Sequence, residues 1–257
     1  MKKVLCLMLL LTLVACGGGK KPPENLAQAQ QDDPNYNYRL GVLQLNQGNV
    51  PSAILALQKC VAVSPNNAEA WNALGLAHFM GRQYKDATTA FGKALELNPS
   101  FTDVHNNLGN VFNEMAIYDK AKAEYNKVLE DLTYPKPEAA YFNLALIAYV
   151  EKDSPTALKY CRLAVSMNPG FSRVYNMMGR ISEDQNDMPG AISNYRVGLI
   201  VDPDGLELNF SLAVALYKVK KYDEARERFE KVLLIGPTSS QARQALAYMQ
   251  TMKEGRP

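Results

Sequence analysis

"AEAWNALGLAHFMGRQYKDATTAFGKALELNP", residues 68–99, carries three marks at fixed intervals: Leu74-Gly75, Ala87 twelve residues after the glycine, and Pro99 twelve residues after the alanine. The alanine recurs as Ala53, Ala87, Ala121, Ala157, Ala191 and Ala225, at intervals of 34, 34, 36, 34 and 34. An apolar–small pair precedes each, as Leu40-Gly41, Leu74-Gly75, Leu108-Gly109, Leu144-Ala145, Met178-Gly179 and Leu212-Ala213. Pro65, Pro99, Pro169, Pro203 and Pro237 follow, with Thr133 at that place in the third unit. A period of this length marks a stack of small units rather than one globular core.

Each unit reads as two antiparallel helices. The small residue and the alanine fall where the helices press together, and a larger side chain would force them apart. Leu57, Phe91, Tyr125, Cys161, Tyr195 and Phe229 fill the space beside that contact. Proline, which has no N–H and clashes with the preceding turn, stops the second helix. These marks resemble the tetratricopeptide signature over residues 34–239. The resemblance implies an all-α, right-handed superhelical solenoid of six units, at 34–67, 68–101, 102–137, 138–171, 172–205 and 206–239. No unit buries its apolar face alone, so stacked neighbours must do it. Residues 240–257 supply a capping helix and tail, with Ala242, Ala245, Leu246, Met249 and Met252 at helical spacing.

The first 33 residues are of another kind. Lys2 and Lys3 precede an apolar run from Val4 to Val14, too short to cross a bilayer as a helix of roughly 20 residues. Residues 1–15 read as a signal peptide. Leu13-Val14-Ala15-Cys16 resembles a bacterial lipobox, which implies cleavage before Cys16 and acylation of that cysteine. Gly17, rather than Asp, follows it, and this resembles an outer-membrane address. Residues 16–33 are rich in Gly, Lys, Pro and Gln and read as a lipidated cysteine with a flexible tether.

Processing changes the charge. The chain has 28 basic and 26 acidic residues, and loss of Lys2 and Lys3 leaves 26 of each. A neutral protein lacks the basic excess expected of a nucleic-acid binder. Cys60 and Cys161 remain as core thiols in units too far apart to bridge. His78 and His105 occupy helix positions suited to aromatics, no Cys or His pair has zinc-ligand spacing, and no Gly-x-Ser-x-Gly elbow occurs. "GGGKK" at 17–21 lacks the rest of a phosphate loop and reads as linker. The sequence implies neither an enzyme, a cofactor nor a small-molecule substrate.

Function then falls to the concave face, where positions 2, 5, 9, 12 and 13 of each first helix point inward. Units one and two place Tyr38, Val42, Leu45, Asn72, Leu76, Phe79 and Met80 there, an expected apolar strip for a protein partner. The third unit offers Asp103, Asn106, Asn110, Asn113 and Glu114, the fourth Phe142, Leu146, Tyr149 and Val150, and the fifth Arg173, Arg180, Glu183 and Asp184. Asn110, Asn143 and Arg173 occupy three of the five places at which some chaperone-binding repeats clamp a terminal carboxylate, but Asn106 and Met177 lack the cationic groups of the other two.

The 36-residue interval spans "EDLTYPKPEAAYFNLA", residues 130–145. The lipobox, the tether, six units and a lengthened joint with Tyr134-Pro135 before Asn143-Leu144-Ala145 together resemble the type IV pilus biogenesis lipoproteins, the pilotins. Ala145 stands where that family usually has Gly. The resemblance implies an outer-membrane lipoprotein, facing the periplasm, that helps the type IV pilus secretin subunit assemble. A lipidated scaffold that recruits cell-wall hydrolases or envelope-assembly factors fits the same residues.

Overall fold

The computed structural model describes residues 33–253, so the signal peptide, Cys16, nearly all of the tether and the last four residues lie outside it. Among the described residues there are thirteen α-helices and no strand. The first helices of the six units are α1 (Pro34–Asn46), α3 (Ala68–Met80), α5 (Thr102–Glu114), α7 (Pro137–Val150), α9 (Ser172–Asp184) and α11 (Leu206–Lys218). The second helices are α2 (Val50–Val63), α4 (Tyr84–Leu97), α6 (Tyr118–Glu130), α8 (Ser154–Met167), α10 (Met188–Val201) and α12 (Tyr222–Ile235), and α13 (Ser240–Lys253) closes the stack.

Steric fit sets the distance between the helices of a pair. A Cβ built on Gly109 would lie 2.5 Å from the Tyr125 ring, and one on Gly179 would lie 2.2 Å from Tyr195. Gly41 and Gly75 stand in the same relation to Leu57 and Phe91. The fourth unit carries Ala145 instead and packs it in one core with Cys161, the smallest of the six pocket residues. In the fourth unit the departure from glycine is thus matched by a smaller neighbour, whereas the sixth packs Ala213 in one core with Phe229.

The turn inside each unit has a feature that the sequence hides. Gly48, Arg82, Ala116, Lys152, Asn186 and Lys220 all have positive φ, between 56° and 74°, yet only the first is glycine. Each ends its helix in a left-handed residue, after which the next amide reaches back five residues, as in Gln83 N–H to His78 C=O at 2.8 Å. At three of the five prolines that follow a second helix, the structure reuses the carbonyl. Trp71 Nε1, Tyr175 Oη and Asn209 Nδ2 donate to the carbonyls of Pro65, Pro169 and Pro203, each six residues earlier.

The lengthened joint, residues 131–136, is tied down. Asp131 accepts from the Thr102 hydroxyl at 2.6 Å and from Thr133, and Tyr134 packs against the core of Ala121, Tyr125 and Leu144. Pro137 opens α7 at its first turn, where its missing N–H costs no hydrogen bond. At the far end Ala242 and Ala245 are buried, and Tyr248 stacks on Phe229 with ring centroids 5.2 Å apart. Leu246, expected in the cap's apolar face, is 55% exposed. The packed face of α13 runs through Ala245, Tyr248, Met249 and Met252, and Leu246 falls beside it.

Candidate partner-binding groove

The first helices line the concave side, and two compartments open on it. The first, of about 360 Å³, is shared by α3, α5, α7 and α9. Phe142, Phe171, Leu146 and Phe79 form its apolar surface, and Asn106, Asn110, Asn113 and Asn143 bring amides to it. Asn143 Nδ2 donates to Asn110 Oδ1 at 3.0 Å, and the Tyr125 hydroxyl donates to the same oxygen at 2.9 Å. Asn106 Oδ1 is buried with no donor among the described residues. A buried acceptor left so costs about 1–3 kcal/mol. The Arg173 guanidinium lies over the Phe142 ring, 4.8 Å from its centroid.

The second compartment, of about 460 Å³, is formed by α7, α9, α10, α11 and the capping helix. The Tyr149 hydroxyl donates to Asp184 Oδ2 at 2.6 Å, Tyr195 donates to Glu183 Oε1 at 2.7 Å, and Lys218 pairs with the other Glu183 oxygen. Arg180 stacks over Tyr149 at 5.2 Å. Burial first, and then the neighbouring carboxylate, raises the phenol pKa of Tyr195 and of Tyr149, so both remain donors.

The residues proposed from sequence fall into different settings. Tyr38, Val42 and Leu45 are half-buried and lean on the core of the first two units, beside Ile54 and Trp71. Leu76 and Phe79 lean on the next core, with the Phe79 ring 6.1 Å from Tyr84. Met80 alone of the apolar set is open, at 50% exposure. Asn72 accepts from Asn107 Nδ2 at 3.0 Å. Phe79, Asn106 and Asn110 meet in the first compartment, whereas the others do not line it. Phe142 is a buried floor rather than an open groove residue, because Phe171 packs edge-on against it at 5.3 Å. The carboxylate-clamp places are divided: Asn106, Asn110, Asn143 and Arg173 share the compartment, and Met177 is buried in the core. Sequence reasoning missed Phe171, which precedes its helix, and the whole contribution of α11 and α13. A seventh-unit register for Ser240, Gln241 and Gln244 would have flagged the latter.

Among the described residues no group of three or more His, Cys, Asp or Glu is placed to hold a metal ion, and no helix is long and apolar enough to cross a membrane. Cys60 and Cys161 are free and buried, and burial pushes the Cys161 thiol up to about 12.

Residues 38–100, 114–170 and 176–248, well over half of the chain, match the family model of the tetratricopeptide repeat. Over 168 residues the chain is 24% identical to the type IV pilus assembly protein PilF of Pseudomonas aeruginosa, covering 65% of this chain and 67% of that protein. The solved P. aeruginosa PilF superposes with a TM-score of 0.69 at 20% identity, covering 85% of this chain and 99% of that one. PilW, described as a widely conserved type IV pilus biogenesis factor, superposes with a TM-score of 0.70 at 19% identity, covering 83% and 98%. The human protein O-mannosyl-transferase TMTC3 is 26% identical over 189 residues, covering 68% of this chain, which spans only 21% of that protein's length.

Proposed function

Because this chain belongs to the tetratricopeptide repeat family, we propose that it works by holding a segment of a protein partner in its concave face, as a non-enzymatic assembly factor of the type IV pilus. The observation that carries this reading is the first compartment: an aromatic floor and a rim of amides suit the mixed apolar and amide surface of a polypeptide. The likeness to PilF and PilW along nearly the whole of their solved chains supports the assignment to pilus assembly. In this reading Cys16 is acylated and anchors the protein at the inner leaflet of the outer membrane, facing the periplasm, and the partner is the secretin subunit.

Affinity capture from detergent-solubilised envelopes tests the reading. Secretin should co-purify, and loss of the protein should lower secretin multimers while monomer accumulates. Capture of cell-wall hydrolases without secretin would favour a lipidated envelope scaffold.

A further inference from the structure

The two compartments are related by the repeat. Phe79, Asn110, Glu114, Phe142, Leu146 and Arg173 of the first correspond, two units on, to Tyr149, Arg180, Asp184, Phe210, Val214 and Gln241 of the second. Both have an aromatic at position 5 of the central helix and an aliphatic at position 9: Phe142 with Leu146 on α7, and Phe210 with Val214 on α11. The capping helix supplies Gln241 where a further unit would place its groove residue, so it completes a site as well as closing the stack.

Shape is repeated but charge is not. In the first compartment Arg173 and Glu114 are the charged lining residues, and the remaining polar groups are amides. In the second, Arg180 stands against Glu183, Asp184 and Glu207, with Lys218 held by Glu183. One end of the groove is therefore neutral and rich in amides, and the other is acidic. Such a surface gives an extended ligand two anchor points and a direction.

We propose that both compartments bind one continuous, extended segment of the partner, with an apolar side chain in each and a Lys or Arg beside the anchor in the second. This rests on the groove being the partner site and adds the chemistry of what it takes. First helices of successive units touch at the roughly 10 Å spacing of packed helices, so α7 and α11 are about 20 Å apart. An extended chain at about 3.3 Å per residue covers that in roughly six residues.

Photo-crosslinking in cells making the full chain tests it. Benzoylphenylalanine replaces Leu146 in one variant and Val214 in another; Glu114 and Gln241, on the rims, serve as a second pair that perturbs packing less. Both positions should cross-link the same partner chain, at sites within about a dozen residues of each other, with a basic residue near the Val214 site. Adding Glu207→Lys, an exposed substitution, should lower cross-linking at Val214 about fivefold. Cross-links from the first compartment alone, to two different proteins, or to distant parts of one protein would overturn the proposal. If one such segment is cross-linked but belongs to a protein other than secretin, this inference stands and the pilus reading falls. If secretin is cross-linked through Leu146 only, the reverse holds. No cross-link at any of the four positions would overturn both.

Discussion

The Tyr134 hydroxyl donates to Asp103 Oδ1 at 2.9 Å across 31 residues, fastening the lengthened joint to the first turn of α5. Burial, together with that carboxylate, raises the phenol's pKa, so the bond persists through neutral pH. Tyr134→Phe should cost about 0.5–1.5 kcal/mol, and Tyr134→Ala more, because the ring also packs on the core of the third and fourth units. Urea unfolding of both variants checks this. Equal and negligible losses would mean that the joint is only a spacer.

The left-handed turn residues make a prediction of opposite sign. A non-glycine residue in this region carries a cost of roughly 1–2 kcal/mol, partly offset because it leaves the unfolded chain less conformational entropy to lose than glycine would. Ala116, at φ 56°, is exposed. Ala116→Gly should therefore stabilise by about 0.5–1 kcal/mol, and Gly48→Ala should destabilise by a similar amount. Thermal melts of the pair should move in opposite directions.

Gly109 has no room for a methyl group, since its Cβ would sit 2.5 Å from the Tyr125 ring. Gly109→Ala should cost about 1–3 kcal/mol by overpacking. The fourth unit, with Ala145 and Cys161 in one core, shows the accommodating arrangement. Combining Gly109→Ala with Tyr125→Cys should give a loss smaller than the sum of the two single losses, because the cavity left by the ring receives the methyl group. Strict additivity would show that the two sites do not meet.

Both described thiols should be inert in the folded protein. Cys60 and Cys161 are buried, and burial raises the pKa of each, to about 12 for Cys161, so the reactive thiolate is scarce at pH 8. A disulfide reagent should label neither until the chain is unfolded, and should then label both within the same transition. Rapid labelling of Cys161 in native buffer would contradict its placement.

Cys16 separates anchoring from folding. It precedes every repeat, so Cys16→Ser should leave the melting temperature unchanged while abolishing fatty-acid incorporation. Fatty-acid labelling at the wild-type level would remove the lipid anchor from the proposed function.

What the sequence determined by itself is the repeat: six helix pairs, their order, and the small residues at their contacts. Those features are legible because each obeys a local steric rule, a small side chain at residue 8 or a missing N–H at the proline, that recurs at intervals of 34 residues with one of 36. Helical position also indicated which side chains turn toward the groove, and Asn106, Asn110 and Phe79 do meet there. Position could not reveal what stands opposite. Phe79 and Met80 are adjacent in sequence, yet Phe79 leans on the core and Tyr84 while Met80 stays half exposed. Phe142 is sealed by Phe171, and Asp184 is engaged by Tyr149 from the preceding unit. The last two outcomes depend on residues 29 and 35 places away, brought near by the stacking of whole units. The division of the groove into a neutral and an acidic compartment, and the capping helix's part in the second, arise at that level alone.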